Sequence, residues 1–214
     1  MTATDGPRYP SGDARQALSL DLEATADHLA GQIGDAVRGL GRRGAVVAVS
    51  GGIDSGVVAG LAVRARGPKR VMLLRLPERD IGTGASDLGL ELAQALGAPT
   101  EEESITAALE GLGCYRRRDE AIRAGFPDYE PDWRHKLVRS PPGGVIVFSL
   151  VVERPDGSQE RRRMPPEAYR ALLAATNLKP RVRKVLEYTW ADQLGYAVLG
   201  TPNLIEYDQG FFVK

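Results

Sequence analysis

The chain of 214 residues has one cysteine, Cys114, and two histidines, His28 and His135. A lone thiol makes no disulfide framework, no Cys-x-x-Cys redox pair and no thiolate cage for a metal. Two histidines leave little for a histidine-based zinc site or a Ser-His-Asp triad. His28 falls in a helical pattern as a surface or boundary residue, and His135, in PDWRHK, falls in a loop. Net charge is lacking as well, because 28 basic and 28 acidic residues cancel and the pI is about 6.8. That balance offers no bulk attraction to nucleic acid or to an anionic membrane, and directs attention to a small partner. No apolar run approaches the roughly 18 residues that span a bilayer. The opening MTATDGPRYPSGD has neither the basic nor the apolar block of a signal peptide, so the expectation is a cytoplasmic protein.

Residues 1 to about 17 are rich in Pro, Gly, Asp and Ser and read as an arm, leaving 18–214 as a single domain with some elaboration. Leu22, Ala26, Leu29, Ile33, Val37 and Leu40 step by three and four and predict a first amphipathic helix. Ala45 to Val49 is a continuous apolar run, as expected of a parallel strand covered on both faces. A helix carrying Val57, Val58, Leu61 and Ala62 follows and stops at Gly67-Pro68, and Val71 to Leu76 makes a second buried strand. Ser86 is placed to cap a helix ending at Gly97, and a short polar strand is expected around Glu102 to Ile105.

This alternation is the doubly wound α/β pattern, in which ligands bind beyond the carboxyl ends of parallel strands. The stretch from about 114 to 170 interrupts it. CYRRRDEAIRAGFPDYEPDWRHK reads as helix and then loop, and two β-rich runs flank a turn at Pro155, Asp156 and Gly157, predicting an inserted β-hairpin. The alternation resumes with a helix over about 166–175, another from near Pro180 to Gly195, and a strand at Ala197 to Leu199. GTPN then leaves that strand on the same rim as the first polar loop.

The first loop is Ser50-Gly51-Gly52-Ile53-Asp54-Ser55. It lacks the lysine and spacing of a Walker A loop. It keeps two glycines that let backbone N–H groups approach an anion, two hydroxyls, and a helix N-terminus behind them. Asp54 would repel phosphate unless Mg²⁺ bridges the two. The plainer reading is a glycine-rich turn with Asp54 as a helix cap.

The hexapeptide resembles the SGGxDS pyrophosphate loop of the ATP pyrophosphatases, which cleave ATP between the α and β phosphates and pass AMP to an oxygen of the substrate. The end of the chain narrows the resemblance. Asn177, Lys179, Arg181 and Arg183, then Gly200, Thr201 and Glu206, then Gly210, Phe211, Phe212 and Lys214 resemble the NAD synthetase pattern N-x-K-x-R-x-R, G-T-x-x-x-x-E and G-F-F-x-K. The resemblance covers about 20–112 and 171–214.

It implies an adenine nucleotide alpha hydrolase-like fold and an ammonia-dependent ligase that amidates deamido-NAD with ATP and Mg²⁺. By position, Ala48, Val49, Ser50, Gly51, Gly52, Ile53, Asp54 and Ser55 would hold ATP, with Arg75 and Thr201 beside it. Asp54 and Glu206 would share the metal, and Arg181 and Lys214 would contact deamido-NAD. Taken singly, Arg181 and Arg183 also read as a solvated helix face, Glu206 as a surface acid and Phe211-Phe212 as core. The family pattern continues with a G-D-G-x-x-D segment past the equivalent of Lys214, so a divergent subfamily or a fragment is expected. Cys114 has no histidine partner for glutaminase chemistry, so ammonia would arrive free or from a separate glutaminase. A homodimer is implied too. A related amidotransferase using another carboxylate, or a non-catalytic relative, is the alternative, and the solitary cysteine disfavours tRNA thiolation.

Overall fold

A computed structural model describes residues 19–80, 83–139, 147–203 and 206. The expected arm at 1–17, and Lys214, lie outside the described residues. The first half of the chain runs α1 (Leu22–Gly39), β1 (Ala45–Ala48), α2 (Ile53–Arg66), β2 (Val71–Arg75), α3 (Thr83–Leu96) and β3 (Thr100–Glu102). Then come α4 (Thr106–Gly111), α5 (Cys114–Arg123), β4 (Arg134–Arg139), β5 (Phe148–Glu153), β6 (Gln159–Arg163), α6 (Pro166–Thr176), α7 (Leu178–Leu194) and β7 (Ala197–Leu199).

Four strands form a parallel sheet in the order β3-β2-β1-β7, with Ala45 level with both Val71 and Ala197. β1 is central and its apolar run is covered on both faces. On one side Val46 and Leu74 pack with Leu109 of α4, Tyr115 of α5, and Val182 and Ala191 of α7. On the other, Val47 and Leu73 pack with Ala59 and Ala62 of α2 and Ala93 of α3. Val46, Val47, Leu73 and Leu74 are wholly buried, each contributing about 1.5–3 kcal/mol through area removed from water. Gly44 admits β1 to this layer, since a Cβ there would lie 2.3 Å from the Arg70 carbonyl oxygen and 2.7 Å from the Tyr196 ring.

Helix ends follow local chemistry. Asp21 caps α1, its side chain accepting from the Ala24 amide at 3.0 Å. Gly195, at φ 65°, closes α7 in the left-handed region that favours glycine. α1 is the expected amphipathic helix, but its buried stripe is turned away from the leucines, keeping Val37 inside with Ala26 and Ile33 half-buried. Leu22 and Leu40 are exposed, while Ala30, Gly34 and Val37 are buried. Gly34 faces α2, where a Cβ would meet the Ala65 carbonyl oxygen at 3.7 Å, an ordinary contact distance.

The region over 114–170 holds more order than a hairpin. The expected hairpin is β5–β6, with Gly157 at φ 82° in its turn, but β4 joins it to give an antiparallel sheet β4-β5-β6. His135 therefore stands in a strand rather than a loop, its Nδ1 3.1 Å from the Tyr129 hydroxyl. A third core of Ile122, Phe126, Tyr129, Leu150, Val152, Met164 and Leu172 ties this sheet to α5 and α6. Smaller shifts occur elsewhere. Ser86 lies inside α3, which starts at Thr83, and the polar strand falls at Thr100–Glu102 rather than later.

Candidate functional site

At the carboxyl end of β1 the chain turns through Ser50–Gly52 into α2. Gly51 takes φ 78° and Gly52 is the N-cap, with no side chain closing the helix end. The first amides of α2 are thus left for an anion, on the favourable end of the helix dipole. Asp54 lies in the first turn past the cap, exposed, so it is not the cap that the plainer sequence reading requires. Serine hydroxyls fix the turn from inside. Ser55 Oγ donates to the Gly52 carbonyl at 2.9 Å and lies 3.2 Å from Ser50 Oγ, while the Ser50 amide donates to Ser55 Oγ at 3.2 Å.

Beside this turn is a cavity of about 370 Å³, within the range of small-molecule sites. Ala48, Val49, Ser50, Ser55, Arg75 and Thr201 line it, together with Leu76, Pro77, Pro180, Arg183, Lys184 and Glu187. The fold therefore gathers β1, β2, α7 and the segment after β7 around one space. Gly51, Gly52, Ile53 and Asp54 continue the turn without lining the cavity, and Arg75 forms a salt bridge with Glu102 at 2.6 Å. Arg181 is exposed on α7 and outside that lining. Glu206 exchanges hydrogen bonds with Asn203, accepting from its amide at 3.0 Å and donating its own amide to Asn203 Oδ1 at 2.9 Å, the reciprocal pair of a capping box. Among the described residues no group of three or more His, Cys, Asp and Glu is arranged to hold a metal ion. A single exposed Asp54 still suits Mg²⁺, which is commonly held by one or two carboxylates with phosphate and water completing its shell.

One layer out lies a buried polar network that the residue pattern did not reveal. Glu78, just past Pro77, accepts from Tyr115 Oη at 2.9 Å and from Lys179 Nζ at 2.9 Å. Lys179 also donates to Asp80 at 2.6 Å, and Arg118 pairs with Asp80 and with Asp119. Burial would raise the Asp80 carboxyl, but the Lys179 hydrogen bond and the Arg118 charge outweigh it and hold the group below its ordinary value. Burial and then Glu78 push the Tyr115 hydroxyl well up, so it stays a donor. Burial likewise raises the Glu187 carboxyl, against the opposing pull of Lys184. The available signal was LPERD, a charged cluster at the carboxyl end of a buried strand, and the 180, 184, 187 spacing that puts Lys184 and Glu187 on one face of a helix.

A parallel sheet, an uncapped helix start and a hydroxyl-braced glycine turn over a cavity define an α/β protein of the adenine nucleotide alpha hydrolase-like fold. The fold is shared with the NMN synthetase of Francisella tularensis, at TM-score 0.62 and 21% identity over 92% of this chain and 60% of that one. It is shared also with the NH3-dependent NAD synthetase of Campylobacter jejuni, at TM-score 0.61 and 18% identity over 91% and 62%. The model of the NAD synthase family matches residues 25–123 and 158–214. The NH(3)-dependent NAD(+) synthetase of Rhizobium meliloti (strain 1021) is 46% identical over 200 residues, 92% of this chain and 60% of the relative. That of Rhizobium rhizogenes (strain K84) is 47% identical over 202 residues, 92% and 61%. The chain belongs to the NAD synthase family. It spans about three fifths of the length of these curated relatives, and residues 124–157, which include the whole of β4 and β5, fall outside the family match.

Proposed function

We propose that the protein is an ammonia-dependent NAD synthetase, which joins ammonia to the carboxylate of deamido-NAD at the expense of ATP. What supports the reading most is the uncapped, serine-braced turn at 50–55 in a chain 46% identical to a named NH(3)-dependent NAD(+) synthetase. ATP lies across the rim of the sheet with its phosphates on the α2 amides. Asp54 holds Mg²⁺, with Glu206 as its second carboxylate, and the metal supplies charge neutralisation on the phosphates. The turn's fixed N–H groups act on the negative charge that grows on the α-phosphate and departing pyrophosphate. Arg181 and Lys214 hold deamido-NAD so that its carboxylate oxygen attacks the α-phosphate, releasing pyrophosphate and leaving an acyl-adenylate. Ammonia adds to the acyl carbon, loses a proton, and AMP departs with the electron pair of the broken C–O bond. The protein supplies position and electrostatics and no nucleophile, which suits a chain with one buried cysteine whose thiol is raised by burial. A cytoplasmic homodimer is part of the same reading.

The experiment is incubation of the full chain with ATP, Mg²⁺, ammonium and deamido-NAD. Stoichiometric AMP, pyrophosphate and NAD are expected. ATP turnover with nicotinate mononucleotide and none with deamido-NAD would overturn the substrate assignment. Asp54→Asn is expected to lower pyrophosphate release at least about 100-fold at fixed Mg²⁺, the usual scale of losing a group that stabilises transition-state charge. An unchanged rate removes Asp54 from the metal site.

A further inference from the structure

The stripe of α7 that faces the cavity carries an ion pair that the amidation chemistry leaves unused. Lys184 Nζ donates to Glu187 Oε2 at 2.5 Å, and both residues line the cavity. Their exposures differ sharply. The Lys184 side chain is 44% exposed and that of Glu187 is 3%, so the carboxylate is the buried end of the pair and the ammonium the solvent-facing end.

The fold fixes which part of a nucleotide reaches that end. α2 covers one face of the parallel sheet and α7 the other, and the cavity crosses the carboxyl edge between them. Phosphate belongs at the α2 start, where the amides are free and Ser50 and Ser55 brace the turn. The opposite wall is Pro180, Arg183, Lys184 and Glu187, which descend along one face of α7. From Pro180 to Glu187 is seven residues, roughly 10 Å along a helix. Lys179 binds Glu78 and Asp80 beyond the end of β2, whereas Tyr196, just after α7, stands beside Gly44 at the start of β1. Moving from Pro180 to Glu187 therefore runs inward from the rim, toward Ala48 and Leu76. A carboxylate there repels phosphate and accepts hydrogen bonds.

We infer that Glu187 is a specificity-determining residue for the nucleotide, its carboxylate accepting a hydrogen bond from the exocyclic amino group of the base while Lys184 keeps that carboxylate oriented. This inference rests on the ATP reading of the cavity. A buried acceptor left facing a base without that donor is costly, and a site built this way discriminates far more strongly than an apolar one.

The test compares ATP with purine riboside 5′-triphosphate, which lacks only the 6-amino group, by calorimetry on the full chain with Mg²⁺. The wild type is expected to bind ATP about ten-fold or more tightly than the analogue, the scale of one hydrogen bond to a charged group. In Lys184→Met/Glu187→Leu, which removes both partners of the pair, the ratio is expected to fall to near one. Equal affinities in the wild type, or an unchanged preference in the double variant with a native melting curve, overturn the role of Glu187. If the double variant does not fold, the wild-type comparison alone decides. Wild type that binds ATP in no form instead removes the nucleotide reading, and this inference with it.

Discussion

Glu78 keeps its carboxylate 2% exposed because Lys179 and Tyr115 both donate to it. Removing one partner of a buried pair strands the other charge. Lys179→Met is therefore expected to cost about 3 kcal/mol, with part recovered by adding Glu78→Gln, and urea unfolding measures both. The sequence marks Lys179 only as one position of a motif. Its partners are 101 and 99 residues away, a distance that no periodicity spans. His135 titrates with a sign set by its surroundings. Burial, then the Arg118 charge, hold its imidazole below the ordinary 6.5. The unfolded chain thus binds the proton first, so the contribution to stability is whole above 6.5 and lost as pH falls through the folded value. The melting temperature is expected to fall between about pH 7 and pH 5, and His135→Gln to flatten that slope. A slope unchanged in the variant assigns it to other groups.

At the scale of the element, the turn from β1 into α2 was legible because its needs are local. Glycines supply room and positive φ, serines supply short-range hydrogen bonds, and an apolar run supplies the strand. Gly51, at φ 78°, is the most constrained position. A branched side chain there costs about 1–2 kcal/mol of backbone strain and displaces the amides. Gly51→Val is expected to weaken ATP binding about ten-fold or more, measured by calorimetry, while the melting temperature shifts by only a few degrees. α1 shows the opposite case. Its apolar residues have the right period, but which part of the stripe packs is set by the rotation of the helix against α2, and that puts Gly34 and Val37 inside and Leu22 out.

Over the whole molecule, α5 joins the α/β layer to the antiparallel sheet. Cys114 and Tyr115 belong to the core on the α7 side of the parallel sheet, and Ala121 and Ile122 to the core beneath β4–β6. One helix shared by two cores makes independent unfolding of either expensive. The two tryptophans report on the two parts, Trp133 packing against the second of these cores and Trp190 against the first. In Trp133→Phe and in Trp190→Phe, the fluorescence transition in urea is expected to coincide with that of circular dichroism. Separated transitions would make residues 124–163 a unit of their own, against a single domain over 18–214.

The sequence by itself determined the buried strands β1, β2 and β7, the glycine turn after β1 and the family resemblance, because each depends on residues within a few positions or on a spaced motif. Only the tertiary structure decided what the motif residues face. It turned Lys179 onto Glu78 and Asp80, left Arg181 on the outside of α7, placed His135 in a strand, and set Lys184 and Glu187 on the wall of the cavity. Such assignments depend on the rotation of one packed element against another, and that rotation is fixed by all the contacts of the core at once.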